Sequence, residues 1–285
     1  MASASASSTF FQKLEARIAA VDSLLCVGLD PHVGELGDDP SAEKAYEFCV
    51  NLIDNTSHVA CCYKPNAAFF EQFGSKGWEQ LEKVAEKINQ LQIPIIFDCK
   101  RGDIGSTSAA YAKGNFLVGE ALTISPYLGG DGVAPFTDSR EKSAFVLCKT
   151  SNPGSDDLQT LEVEITIGAG PEGPQSGSIP LYMQVARLCA EKWGKEFGNI
   201  GVVVGATDVD ALAKIRKNYP SLWFLSPGIG AQGGPLKEAL EAGLNRNGTG
   251  MIIPISRGIS KASDQKAAAE DFRDQINKIR RDKAN

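Results

Sequence analysis

The stretch Ile93-Pro94-Ile95-Ile96-Phe97-Asp98-Cys99-Lys100-Arg101-Gly102-Asp103 passes from unbroken apolar residues into crowded charge. A strand with one face in water alternates apolar and polar residues. A continuous apolar run of this kind suits a parallel strand covered on both faces. Seven further runs share its character: Leu24–Asp30, Val59–Pro65, Ala121–Ile124, Ala144–Cys148, Gly201–Val204, Leu222–Leu225 and Gly250–Pro254. Between them, residues 41–55, 76–91, 180–197, 207–217, 235–243 and 263–280 carry apolar residues at helical spacing, with Ser41 placed to cap the first. Eight buried strands alternating with helices over about 250 residues match a (β/α)8 or TIM barrel, an α/β fold. An open doubly wound sheet is the competing topology, but Gly28-Leu29-Asp30 lacks the glycine spacing of a dinucleotide fingerprint.

The pattern gives one domain, expected over residues 15–285, behind a flexible tail at 1–14. The tail has no basic segment followed by an apolar one, so it does not read as a secretion signal. Residues 151–178 are rich in Gly, Pro and Ser and fall in the fifth crossover, where they read as a long functional or mobile loop.

Net charge is −6, from 29 basic and 35 acidic residues, which argues against a nucleic-acid-binding surface. No apolar run reaches the roughly 18 residues of a membrane span. Cys26, Cys61, Cys62, Cys99 and Cys148 sit inside apolar runs, where a thiol packs as a small hydrophobe. With no Cys-x-x-Cys pair and only His32 and His58, a zinc site or disulfide framework is not expected. The composition suits a reducing, cytoplasmic setting.

In such a barrel, function gathers at the carboxyl ends of the strands. Those ends carry Asp30, Lys64, Asp98 to Asp103, Lys149-Thr150-Ser151, the glycine-rich Ser226–Gly234 and Ser256-Arg257-Gly258. Asp98 and Lys100 are two apart, so on a continuing strand they share a face. A lysine about 4 Å from a carboxylate, at an effective dielectric near 20, gains on the order of 4 kcal/mol. Such a fenced ammonium suits a proton donor aimed at a developing carbanion; the alternative is a surface charge cluster. Gly228, Gly230, Gly233 and Gly234 let backbone N–H groups approach a ligand, and Arg257 adds a fork for phosphate oxygens. Asp30 reads equally as a cap, and Ser151, opening Ser-Asn-Pro-Gly, equally as a turn. His32 and His58 read as structural or solvated.

These residues together resemble the orotidine 5′-phosphate decarboxylase family. Phe97-Asp98-Cys99-Lys100-Arg101-Gly102-Asp103-Ile104 is similar to its Asp-x-Lys-x-x-Asp-Ile signature. The endings at Asp30, Lys64, Gly228–Gly234 and Ser256-Arg257-Gly258 fit the same family over roughly residues 15–275, and Lys149-Thr-Ser-Asn-Pro-Gly resembles its longer branch. Ser256 departs from it, since many members carry Gly before the phosphate arginine.

The resemblance implies decarboxylation of orotidine 5′-phosphate to uridine 5′-phosphate (UMP), the last step of de novo UMP synthesis, without metal or organic cofactor. It implies a catalytic set of Lys64, Asp98, Lys100 and Asp103, with Lys100 protonating C6. Asp30 and Lys64 would hold the ribose, Ser151 the pyrimidine, and Gln232, Arg257 and the Gly230 backbone the phosphate. It also implies a homodimer in which Asp103 and Thr107 enter the neighbouring subunit's site. Related barrels that use magnesium on sugar phosphates share the Asp-x-Lys-x-x-Asp piece. Lys64 argues against those, and a non-catalytic phosphate-binding barrel is the third reading. Some family members are fused to orotate phosphoribosyltransferase; no acidic-pair phosphoribosyl-pyrophosphate motif is found here.

Overall fold

The computed structural model describes residues 8–170, 173–229 and 235–284. Eight parallel strands form the central layer: β1 (Leu25–Leu29), β2 (Cys62–Pro65), β3 (Ile96–Arg101), β4 (Ala121–Ile124), β5 (Ser143–Lys149), β8 (Ile200–Val204), β9 (Trp223–Leu225) and β10 (Met251–Ile255). Their neighbour order is β2-β1-β10-β9-β8-β5-β4-β3. Parallel bridges Tyr63–Ile95 and Asn66–Asp98 join β2 to β3 and close the ring. The result is a (β/α)8 barrel, and the open-sheet alternative is excluded. Its staves are buried along nearly their whole length, as continuous apolar runs require.

The helices are α1 (Phe10–Val21), α2 (Ala42–Thr56), α3 (Ala68–Glu71), α4 (Ser75–Gln90), α5 (Gly105–Asn115), α6 (Gly130–Val133), α7 (Leu181–Glu191), α8 (Val209–Asn218), α9 (Leu236–Gly243), α10 (Arg257–Ser260) and α11 (Gln265–Ala284). Ser41 caps α2 as expected, accepting from the Lys44 N–H at 3.3 Å. The helix expected over 180–197 stops at Glu191.

Three features depart from the sequence reading. The tail expected to run through residue 14 instead turns helical at Phe10, closed by a capping box between Thr9 and Gln12. Phe10, Phe11 and Leu14 are core residues. Phe11 stacks on Trp223 at 5.9 Å and both phenyl rings meet Phe145 edge-on. Lys13 reaches Glu120 just before β4, and Arg17 donates to the carbonyl of Ala60 just before β2. Helix α1 therefore covers the amino ends of the staves, opposite the functional end. Second, the fifth crossover is not a plain loop. Residues Pro153–Asp157 form a 3-10 turn, and β6 (Glu162–Gly170) pairs antiparallel with β7 (Gly173–Pro180). Its first half alternates Val163 and Ile165 with polar residues, a strand signal masked by the flanking Gly, Pro and Ser. Third, α5 has no apolar stripe; its buried positions are only Ser108, Ala112 and Asn115.

Because Phe10 is 1 % exposed in this floor, Phe10→Ala is expected to lower the unfolding free energy by about 3–5 kcal/mol. Urea denaturation checks this, and a loss under about 1 kcal/mol contradicts α1 as part of the core.

Candidate active site

At the carboxyl end of the barrel, Asp98 of β3 lies between two ammonium groups. Lys64 Nζ of β2 donates to its Oδ2 at 2.8 Å, and Lys100 Nζ donates to its Oδ1 at 2.6 Å. The Lys64 and Asp98 side chains are only 7 % and 11 % exposed, whereas Lys100 is 52 % exposed. The inner pair thus forms a fixed base on which a more accessible ammonium stands. Burial raises the Asp98 pKa, but Lys64 and Lys100 outweigh it and hold the carboxyl well below the usual carboxylate range. Burial likewise lowers the Lys64 pKa, and Asp98 with Asp30 outweighs it, holding that ammonium above the ordinary lysine value. Burial pushes the adjacent Cys99 thiol up to about 12, so it stays protonated beside the charges.

Simple alternation does not explain how Lys100 reaches its place. The β3–β4 register shifts between Phe97 and Arg101, and Lys100 takes a left-handed φ of 45°. A side chain pays about 1–2 kcal/mol for that conformation. Thr123 of β4 holds it there: its hydroxyl accepts from the Lys100 N–H at 3.0 Å and donates to Asp98 Oδ1 at 2.9 Å. Sequence reading missed Thr123, since a threonine inside an apolar strand carries no signal of its own.

The pair Lys64–Asp98 separates two cavities that also share Pro227. One, of about 440 Å³, is lined by Lys100, Thr123, Leu147, Ser151, Gln159 and Val203, among others. The other, of about 270 Å³, is lined by Asp30, His32, Asn66, Gly228, Ser256 and Arg257, among others. The Ser256 hydroxyl donates to Asp30 Oδ2 at 2.5 Å, while Asp30 Oδ1 is buried with no hydrogen-bond partner among the described residues. Such an acceptor fits a ligand hydroxyl. Gly28 makes the contact possible, because a Cβ there would stand 2.0 Å from Ser256 Oγ. The serine that departs from the resemblance therefore has a definite task.

The structure thus brings Lys64, Asp98, Lys100, Asp30, Ser151 and Arg257 around two adjacent cavities that share lining residues. Asp103 and Thr107 line neither. Asp103 Oδ1 accepts from the Ile104 N–H at 2.8 Å, and Thr107 lies on an outer groove with Arg101, Tyr111 and Leu117. Gly230 and Gln232 lie outside the described residues. His32 packs edge-on against Phe69 at 4.3 Å in the second cavity, and exposed His58 pairs with Glu270 at 2.8 Å.

A sequence model of the family described as Orotidine 5′-phosphate decarboxylase / HUMPS matches residues 23–272. A protein of Roseiflexus castenholzii named orotidine 5′-phosphate decarboxylase is 40 % identical over 279 residues, 94 % of this chain and 97 % of its own. One of the same name from Dehalococcoides mccartyi is 42 % identical over 281 residues, 95 % of this chain and 98 % of its own. The solved structure of Leishmania donovani OMP decarboxylase superposes with a TM-score of 0.82 at 45 % identity, covering 95 % of this chain and 98 % of that one.

A carboxyl whose pKa is depressed on folding stabilises the protein above its unfolded value, near 4, and that contribution is lost as pH falls below it. Wild-type unfolding free energy is therefore expected to drop with acid below about pH 4, and Asp98→Asn to flatten that slope. Equal acid slopes in urea titrations of the two proteins would contradict the buried pairing.

Proposed function

The chain belongs to the Orotidine 5′-phosphate decarboxylase / HUMPS family, and from that membership we propose that it converts orotidine 5′-phosphate to UMP and carbon dioxide, closing UMP biosynthesis. The observation that carries this reading is the Lys100 ammonium, fixed 2.6 Å from a buried carboxylate at the junction of two cavities. The larger cavity suits the pyrimidine, with Ser151 at its wall; the smaller suits the ribose phosphate. The Asp30 carboxylate accepts from a ribose hydroxyl, and Lys64 donates to one. Arg257, exposed and free of ion pairs among the described residues, meets the phosphate; the resemblance adds Gln232 and the Gly230 backbone as phosphate ligands, both outside the described residues.

The bond from C6 to the carboxyl carbon breaks, and its electron pair stays on C6. Lys100 Nζ delivers a proton to that pair as carbon dioxide leaves, and solvent later reprotonates the amine. Asp98 keeps Lys100 aimed through their 2.6 Å contact. Binding at the remote phosphate contributes to the rate as well as to affinity. The chain's own residues supply every charge that these steps use, so no cofactor is invoked. A magnesium-dependent reaction on sugar phosphates is less well supported, because the buried Lys64 ammonium would repel a divalent cation.

The working unit is a homodimer. Asp103 and Thr107 stand outside their own cavities, near exposed Ile104, Tyr111, Leu117, Tyr127 and Leu128. Such an apolar surface marks an interface. A second copy docking there brings Asp103 and Thr107 to the neighbouring Lys100. The seven cysteines are buried free thiols, in keeping with a reducing cytoplasm. No helix among the described residues is long and apolar enough to cross a membrane.

Loss of the orotidine 5′-phosphate absorbance in excess chelator measures the reaction. Lys100→Ala is expected to abolish it with the circular dichroism unchanged; near-normal turnover would remove Lys100 as the proton donor. Mixing inactive Lys100→Ala with inactive Asp103→Ala is expected to restore about a quarter of wild-type activity, because half of randomly paired dimers then hold one intact site. Absence of recovery in subunits shown to exchange would place Asp103 in its own subunit's site.

A further inference from the structure

A second buried lysine takes no part in this chemistry. Lys149 ends β5 with its side chain 6 % exposed. The β5–β8 register shifts between Leu147 and Lys149, a bulge of the kind that re-aims a side chain. Leu147 consequently lines the pyrimidine cavity, and Lys149 lines an outer cavity with Asp156 and Asp208; Thr150, Ser151 and Asn152 form the wall common to both. There its ammonium donates to Ser155 Oγ at 2.7 Å and Asp156 Oδ1 at 3.1 Å, and lies 3.5 Å from Asp208 Oδ2. Asp208 also caps α8, its Oδ1 accepting from the Ala211 N–H at 2.9 Å. One ammonium therefore ties together the end of β5, the 3-10 turn after it and the start of α8.

Ser151 sits inside that tie. The Thr150 N–H donates to Gln159 Oε1 at 2.8 Å, and Gln159 Nε2 donates back to Thr150 Oγ1 at 2.9 Å. Behind Ser151 stands Gly205, whose N–H donates to the Lys149 carbonyl at 2.8 Å. A Cβ on Gly205 would lie 2.8 Å from Ser151 Cβ and 3.0 Å from its nitrogen, so the Ser151 backbone rests flat against the end of β8. Gln159 grips the residue before Ser151, Gly205 supports it from behind, and Lys149 fixes the turn beyond it.

We propose that Lys149 is a positioning residue for the nucleobase: by holding the 150–159 arch against β8 and α8, it sets Ser151 at the wall of the pyrimidine cavity. This rests on the assignment of that cavity under the proposed function. A lysine that merely stabilised the fold would affect all ligands alike. A lysine that positions Ser151 affects those that carry a base.

The test compares inhibition of the full-length enzyme by UMP and by ribose 5-phosphate, which lacks the base. Lys149→Met is expected to weaken UMP inhibition about tenfold, the scale of a lost charged hydrogen bond. Ribose 5-phosphate inhibition should stay unchanged, and Lys149→Arg should restore UMP binding. Unchanged UMP inhibition, or equal weakening of both ligands, overturns the proposal. Should Lys149→Met not fold, Ser155→Ala removes one of the three contacts and is expected to show a smaller selective loss; wild-type behaviour there overturns it equally. Failure of the wild-type protein to decarboxylate orotidine 5′-phosphate would instead overturn the functional reading itself.

Discussion

The active end of this barrel depends on one carboxylate held between two ammonium groups. A charge as buried as Asp98 is expensive to desolvate, and it persists because Lys64 and Lys100 each donate to a different oxygen. The arrangement is asymmetric in exposure. Lys64 is sealed in with Asp98, and Lys100 faces the cavity. The sealed pair cannot reorganise cheaply, so the exposed ammonium inherits a fixed position. For a proton donor, a fixed position matters, because the N–H must point at the carbon when the electron pair appears. The left-handed φ of Lys100 is a local cost accepted by the same constraint, with the Thr123 hydroxyl bridging backbone and carboxylate.

Charge accounting extends this outward. Lys64, Asp98 and Lys100 carry a net positive charge within one chain. A substrate bearing a carboxylate and a phosphate of about −1.5 to −2 brings more negative charge than that trio can offset. Arg257 lines the second cavity and Lys100 the first, with the Lys64–Asp98 pair common to both, so a further cation stands apart from the trio. Asp103 from a partner subunit would bring the charge cluster to neutrality and fence Lys100 on a second side. That is a coherent reason for a conspicuous acid to stand outside its own chain's cavities.

The barrel was legible because its staves are buried on both faces, so their apolar runs are unbroken, and because polar residues collect where the runs end. That one pattern pointed to Lys64, Asp98, Lys100 and Arg257 without knowledge of contacts, while Ser151 read equally as a turn. Other features failed to register for identifiable reasons. Phe10-Phe11 is too short a run to reveal that α1 forms the floor. Helix α5 lacks an apolar stripe because much of its surface faces away from the barrel. The β6–β7 pairing hides behind Gly, Pro and Ser. The shared face of Asp98 and Lys100 was expected from alternation and is reached through a bulge instead, so the same outcome has a different cause.

Two glycines show why some site geometry is invisible in sequence. Gly28 admits Ser256, which orients Asp30 through one oxygen and leaves the other open; Gly205 admits the Ser151 backbone. Each is an absence of side chain on one strand that matters only because of what a neighbouring strand places opposite. Parallel barrels bring such positions together from remote parts of the chain, 28 beside 256 and 205 beside 151. Side-chain placement at the barrel mouth is thus set in pairs across adjacent staves. Ser256 illustrates the consequence: judged along the chain it departs from its family, and judged across the barrel it is the partner that Asp30 requires.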